Sequence, residues 1–175
     1  MTETTDKTLA AGGGFDPLRL DLQLCFALYG ASNRITRLYR PLLEPLGLTY
    51  PQYLVMLALW EQSPRTVGEL GEALGLDSGT LTPLLKRMEG AGLVARARDP
   101  ADERRVRVRL TDKGEALRAD AQGVPAAIAC RLGGDLKEII ALRTAVQALN
   151  RRLDEAEASD GAQRPISSFT RVSRP

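Results

Sequence analysis

The stretch Thr66–Thr111, "TVGELGEALGLDSGTLTPLLKRMEGAGLVARARDPADERRVRVRLT", constrains the fold more than any other part of the chain. It reads as a short amphipathic helix, a glycine turn, a second helix, and two strand-like runs around a polar loop. That order predicts a winged helix-turn-helix. Thr66 and Glu69 form a capping box, and Val67, Leu70, Ala73 and Leu74 recur at helical spacing as a buried stripe. Gly75 supplies the left-handed conformation that ends the helix. In the second helix Leu81, Leu84, Leu85 and Met88 form the inner face, with Asp77 and Ser78 as candidate caps. Thr80, Thr82, Lys86 and Arg87 share the outer face with Ser78. A face with hydroxyls first and cations further on suits base edges and phosphates in a major groove. Pro83 removes an intrahelical hydrogen bond, so the helix is expected to start late or to bend there.

Beyond Gly92, Val106, Val108 and Leu110 alternate with Arg105, Arg107 and Arg109. A period of two predicts a strand with one buried and one cationic face, entered by a turn at Asp99 and Pro100. Cations from Lys86 to Arg109, Arg96 and Arg104 among them, outnumber Glu89, Asp99, Asp102 and Glu103, although the whole chain carries only +2. Charge is concentrated where a phosphate backbone would lie, which points to double-stranded DNA as the partner. Arg104 is expected in a minor groove, with Asp102 bracing it at the wing tip. The DNA-contacting set is therefore Asp77, Ser78, Thr80, Thr82, Lys86, Arg87, Arg96, Asp102 and Arg104.

With 175 residues, 43% hydrophobic and 26% charged, the chain reads as one ordinary domain with helical extensions. Its apolar runs are too short for a membrane span, and the N-terminus lacks a secretory pattern, so the cytoplasm is expected. The chain contains no histidine, the commonest metal ligand and the usual partner of a catalytic serine or cysteine. Neither a metal, a cofactor nor an enzymatic activity is expected. Cys25 and Cys130 make neither a disulfide framework nor a metal motif by spacing alone.

Five regions are expected: a disordered N-terminus over 1–16, helices over 17–48, the winged unit over 49–111, further helices over 112–156, and a disordered tail over 157–175. A first helix from Pro17 carries Leu18, Leu22, Cys25, Tyr29, Ser32, Ile35 and Tyr39 near one side. Pro41 and Pro45 interrupt it, leaving a short turn with Leu42, Leu43 and Leu46. Thr49 and Gln52 make a second capping box ahead of "PQYLVMLALWEQ", apolar nearly all round and so a core helix. After Thr111 a helix is disturbed at Gly123–Pro125, Gly133 and Gly134 punctuate, and Asp135 with Glu138 opens a last helix. There Leu136, Ile139, Leu142, Val146, Leu149 and Leu153 form a narrow seam that needs a partner. The fold is thus mainly α with a small β-wing, and the N- and C-terminal helices are expected to build a homodimer.

The chain resembles the MarR family of bacterial winged-helix repressors, whose wing signature stands here as Asp102, Arg104 and Leu110-Thr111. "LCFALY", "LYRPLLEPLGLTYPQYLVMLALWE" and "LDSGTLTPLLKRMEGAGLV" are similar to the branch of organic hydroperoxide resistance regulators. The resemblance implies a reactive cysteine at Cys25, hydrogen-bonded by two tyrosines of the dimer partner, which match Tyr39 and Tyr50. It further implies that Cys130 resolves the oxidised thiol as an intersubunit disulfide. Fourteen helical residues separate Cys25 from Tyr39 by about 21 Å, so one straight helix cannot join them and two crossing copies can. Phenols donating to sulfur favour the thiolate, the nucleophile. Leu22, Phe26, Tyr29 and Met56 are expected as an apolar mouth, with Tyr53 as plain core. The implied function is a repressor that binds operator DNA when reduced and releases it when an organic hydroperoxide oxidises Cys25. The alternative is a MarR-type repressor responding to a small aromatic ligand at the dimer cleft.

Overall fold

The winged unit is built on local signals that neighbours in sequence satisfy. In a computed structural model that describes residues 16–133 and 135–163, the Thr66 N–H and hydroxyl both donate to Glu69 Oε2, at 2.6 and 2.9 Å. The Glu69 N–H donates back to Thr66 Oγ1 at 3.2 Å. This reciprocal cap starts α3 (Val67–Leu74), which ends at Gly75 with φ +62°. Asp77 caps α4 (Ser78–Gly90) by accepting the Thr80 N–H at 2.8 Å. Leu81, Leu84, Leu85 and Met88 are all buried on the inner face of α4. In α3 Leu70 is fully buried, Val67 and Leu74 are half-buried, and Ala73 is exposed, so the expected stripe is one residue narrower.

Pro83 neither delays nor interrupts α4. Only the bond to the Gly79 carbonyl is lost, and the buried leucines on either side hold the turn. The first helix differs at both ends from its sequence reading. A single 3-10 turn spans Leu20–Leu22, and α1 runs from Leu24 through Pro41 to Leu43. A second 3-10 turn, Glu44–Leu46, leads to Gly47 at φ +66°. In α2 (Tyr50–Glu61) the Gln52 side-chain oxygen accepts the Thr49 N–H at 2.8 Å. Tyr53, Val55, Met56, Ala58, Leu59 and Trp60 are buried, as a helix apolar on all sides requires.

β2 (Val94–Asp99) and β3 (Asp102–Leu110) form the antiparallel wing. Val108 and Leu110 are buried, Val106 is half-buried, and the alternating arginines are exposed. A third strand, β1 (Arg65–Thr66), pairs with β3 at Arg65–Val108, giving the order β1-β3-β2. Two residues are too few to show alternation, so the sequence carried no sign of it.

The chain divides into two compact units after Val124. The first keeps α5 (Asp112–Ala121), capped by Thr111 and packed on α2 and β3. The second contains most of α6 (Val124–Leu132) and all of α7 (Leu136–Gln163). The break between α5 and α6 falls at the expected glycine and proline, and Gly133, at φ +69°, ends α6. The Asp135 N–H donates to Glu138 at the start of α7. That helix continues to Gln163, beyond residue 157 where a tail was expected. The expectations for residues 1–15, Gly134 and 164–175 lie outside the described residues.

Candidate nucleic-acid interface and thiol site

The outer face of α4 presents Ser78, Thr80, Lys86 and Arg87 exposed, with Thr82 half-buried beside the wing. Asp77 serves as the helix cap, and its Oδ2 also accepts the Thr80 hydroxyl at 3.0 Å. These bonds from Thr80 hold the Asp77 carboxyl below its ordinary range. An open cleft of 360 Å³ lies between the start of α3, the middle of α4 and the wing, lined by Thr66, Gly68, Thr82, Arg96, Arg104 and Arg105 among others.

At the wing tip Asp102 Oδ1 accepts both the main-chain N–H and Nε of Arg104, each at 3.1 Å. The Arg104 bonds lower the Asp102 carboxyl below its usual range. The Arg104 side chain nevertheless stays 91% exposed. It is aimed by its neighbour and still free to meet a phosphate or a groove. Arg96 differs: its side chain is only 22% exposed and its guanidinium forks onto Glu89 of α4, with Nη2 to Oε2 at 2.6 Å. Arg96 therefore braces β2 against α4.

Cys25 is the second residue of α1 and is exposed. Leu22, Phe26 and Tyr29 around it are exposed as well. Met56, expected beside them, is fully buried in the core, because α2 turns that side inward. Tyr39 and Tyr50, both half-buried, meet with ring centroids 4.8 Å apart and planes tilted by 45°. Tyr53 belongs to the same group, 5.8 Å from Tyr39 and edge-on to Trp60 at 6.4 Å. Burial, as the leading cause, raises all three phenols above 10.0, so they stay protonated donors at neutral pH. The i,i+3 spacing of Tyr50 and Tyr53 on one helix was the available sign that Tyr53 joins them. Cys130 is exposed on α6, in the other compact unit.

The MarR family model matches residues 48–106, the span from the turn before α2 to the middle of β3. The chain is 47% identical over 142 residues to the organic hydroperoxide resistance transcriptional regulator of Bacillus subtilis (strain 168), covering 79% of this chain and 97% of that one. The chain belongs to the MarR family. Another relative, the HTH-type transcriptional regulator TtmR of Methylorubrum extorquens (strain PA1), is 48% identical over 150 residues, 86% of this chain and 75% of its own. Among solved structures, reduced AbfR bound to DNA superposes with a TM-score of 0.67 at 38% identity, covering 79% of this chain and 94% of that one. The winged fold and the family agree, and the chain is a MarR-type transcriptional regulator.

Proposed function

We propose that this MarR-type regulator is a homodimeric repressor that holds operator DNA while Cys25 is reduced and releases it once an organic hydroperoxide oxidises that thiol. The observation that carries this reading is a thiol set among exposed apolar residues at the start of α1, in a chain so similar to a regulator named for organic hydroperoxide resistance.

The thiolate of Cys25 attacks the outer oxygen of ROOH, the O–O bond breaks, and the alkoxide leaves and takes a proton to become ROH. Cys25 is then a sulfenic acid. The thiolate of Cys130 on the other subunit attacks that sulfur, forming the disulfide and expelling hydroxide, which becomes water. A disulfide requires Cα atoms within about 7 Å. Any helix movement needed to reach that distance displaces the two α4 helices from the roughly 34 Å of one DNA turn, and the grip on paired half-sites is lost. Exposed Leu22, Leu24, Phe26 and Tyr29 on one unit, and Leu136, Ile140, Leu142 and Leu153 on the other, supply apolar surface for a second copy.

The test is operator binding of the reduced and the cumene hydroperoxide-treated protein, with non-reducing electrophoresis of the same samples. Cys25→Ser is expected to stay bound under peroxide. Cys130→Ser is expected to sense the peroxide without a crosslink and to advance more readily to sulfinic acid. A Cys25→Ser protein that lets go on oxidation overturns the reading.

One observation favours a small-molecule effector instead. A cavity of 550 Å³ between the end of α1 and the start of α2 is lined by Thr36, Arg37, Arg40, Tyr50 and Pro51 among others. Two cations beside a phenol ring suit an aromatic carboxylate. Release of DNA by such a ligand from Cys25→Ser protein would distinguish this reading from thiol sensing.

A further inference from the structure

Glu89 lies in the last turn of α4, on a surface otherwise rich in cations. Its two oxygens divide their work. Oε1 accepts the main-chain N–H of Arg96 at 3.1 Å, while Oε2 accepts Nε at 2.9 Å and Nη2 at 2.6 Å. One carboxylate therefore fixes both the backbone and the side chain of a single wing residue. β2 is an outer strand of the sheet, and Arg96 stands opposite the fully buried Val108 of β3. What Glu89 grips is thus the wing's outer edge at the depth of its core.

The inner side of the wing is anchored through β3, which pairs with β1 and packs on α2, α3 and α5, whereas its outer strand β2 meets α4. The connection from α4 to β2 is only Ala91, Gly92 and Leu93, with Gly92 at φ +71°. Lys113 Nζ steadies it by donating to the Ala91 carbonyl at 2.9 Å. A carboxylate on a face that meets phosphates opposes binding by simple charge, and this one also covers an arginine that could have met a phosphate. Both costs make sense if the geometry it imposes is what the face needs.

We propose that Glu89 is a positioning residue: through the fork of Arg96 it fixes the wing against the recognition helix α4, so that helix and wing engage their two grooves in one register. The inference rests on the reading that both elements bind one duplex. It makes the clamp a determinant of discrimination between operator and other DNA, and it gives charge and geometry opposite signs.

The experiment uses the full-length reduced protein. Affinity is measured by fluorescence anisotropy, across a salt series, for a duplex enriched from a random pool by the wild type and for a scrambled duplex. Glu89→Gln is expected to bind the scrambled duplex as well as or better than wild type, yet to lose about tenfold or more on the enriched duplex, a loss comparable to one misread base pair. Arg96→Lys keeps the cation but not the fork, and is expected to lose the same discrimination with an unchanged salt slope. It also serves should Glu89→Gln fail to fold, as judged by circular dichroism.

Equal gains on both duplexes for Glu89→Gln, or wild-type discrimination in Arg96→Lys, overturn the proposal. A wild type that enriches no sequence overturns the DNA reading itself, and this inference with it.

Discussion

The indole N–H of Trp60 donates to the main-chain carbonyl of Gly114 at 2.9 Å, joining α2 to α5 across 54 residues of sequence. At the same residue α5 lies very close to Leu93, in the turn after α4, and only glycine allows that. A Cβ at position 114 would stand 2.2 Å from the Leu93 carbonyl oxygen. Gly114→Ala is therefore expected to cost about 1–3 kcal/mol through overpacking alone, and more if the Trp60 bond is lost. Urea unfolding followed by fluorescence of the single tryptophan reads both effects; unchanged stability would contradict the packing described.

Arg104 is more exposed than Arg19, Arg65, Arg96 and Arg107, which are also ion-paired, and Asp102 aims it without hiding it. Arg104→Ala is expected to weaken operator binding and to flatten the plot of log affinity against log salt by about one for each cation lost. Asp102→Asn, which leaves the cation but loosens its aim, is expected to weaken the operator complex more than a scrambled one. Operator affinity unchanged by Arg104→Ala at physiological salt would remove the wing tip from the interface.

The phenols of Tyr39, Tyr50 and Tyr53 titrate above 10.0 because burial disfavours the phenolate. Groups with a raised folded pKa add stability that is complete below the unfolded value, about 10, and is lost as pH rises through the folded one. The thermal midpoint should thus be insensitive to these phenols at neutral pH and fall above about pH 10. Ultraviolet titration near 295 nm should show their phenolates appearing late and together with unfolding. Ionisation of all four tyrosines below pH 10 would contradict the buried cluster.

Leu142 on α7 is 66% exposed, in a seam whose Ile139, Val146 and Leu149 are half-buried. In a proposed dimer built partly from this helix, Leu142→Lys is expected to move the protein from dimer toward monomer in light scattering at micromolar concentration. Operator affinity should fall with it, since one monomer reads one half-site. A wild type that is already monomeric under these conditions would rule out the proposed assembly.

The winged unit was legible because its signals are local. Thr66 and Glu69, Asp77 and Thr80, Gly75, and the alternation from Arg105 to Leu110 each express a rule between residues a few positions apart. Pro41 misled for the complementary reason. Pro41 and Pro83 each delete one hydrogen bond, and burial of Leu43 in one case and of Leu81, Leu84 and Leu85 in the other keeps the helix continuous.

The residues of the candidate site divide along the same line. Periodicity alone determined which face of α4 and of β3 is apolar and which is cationic, and the spacing along α1 determined that Cys25 and Tyr39 of one chain stay apart. Only the tertiary structure decided that Arg96 turns to Glu89 while Arg104 stays open, that Met56 faces the core, and that Tyr53 joins Tyr39 and Tyr50. A pattern along the chain specifies direction from a helix or strand axis, whereas the partner a side chain meets depends on which other element occupies that direction.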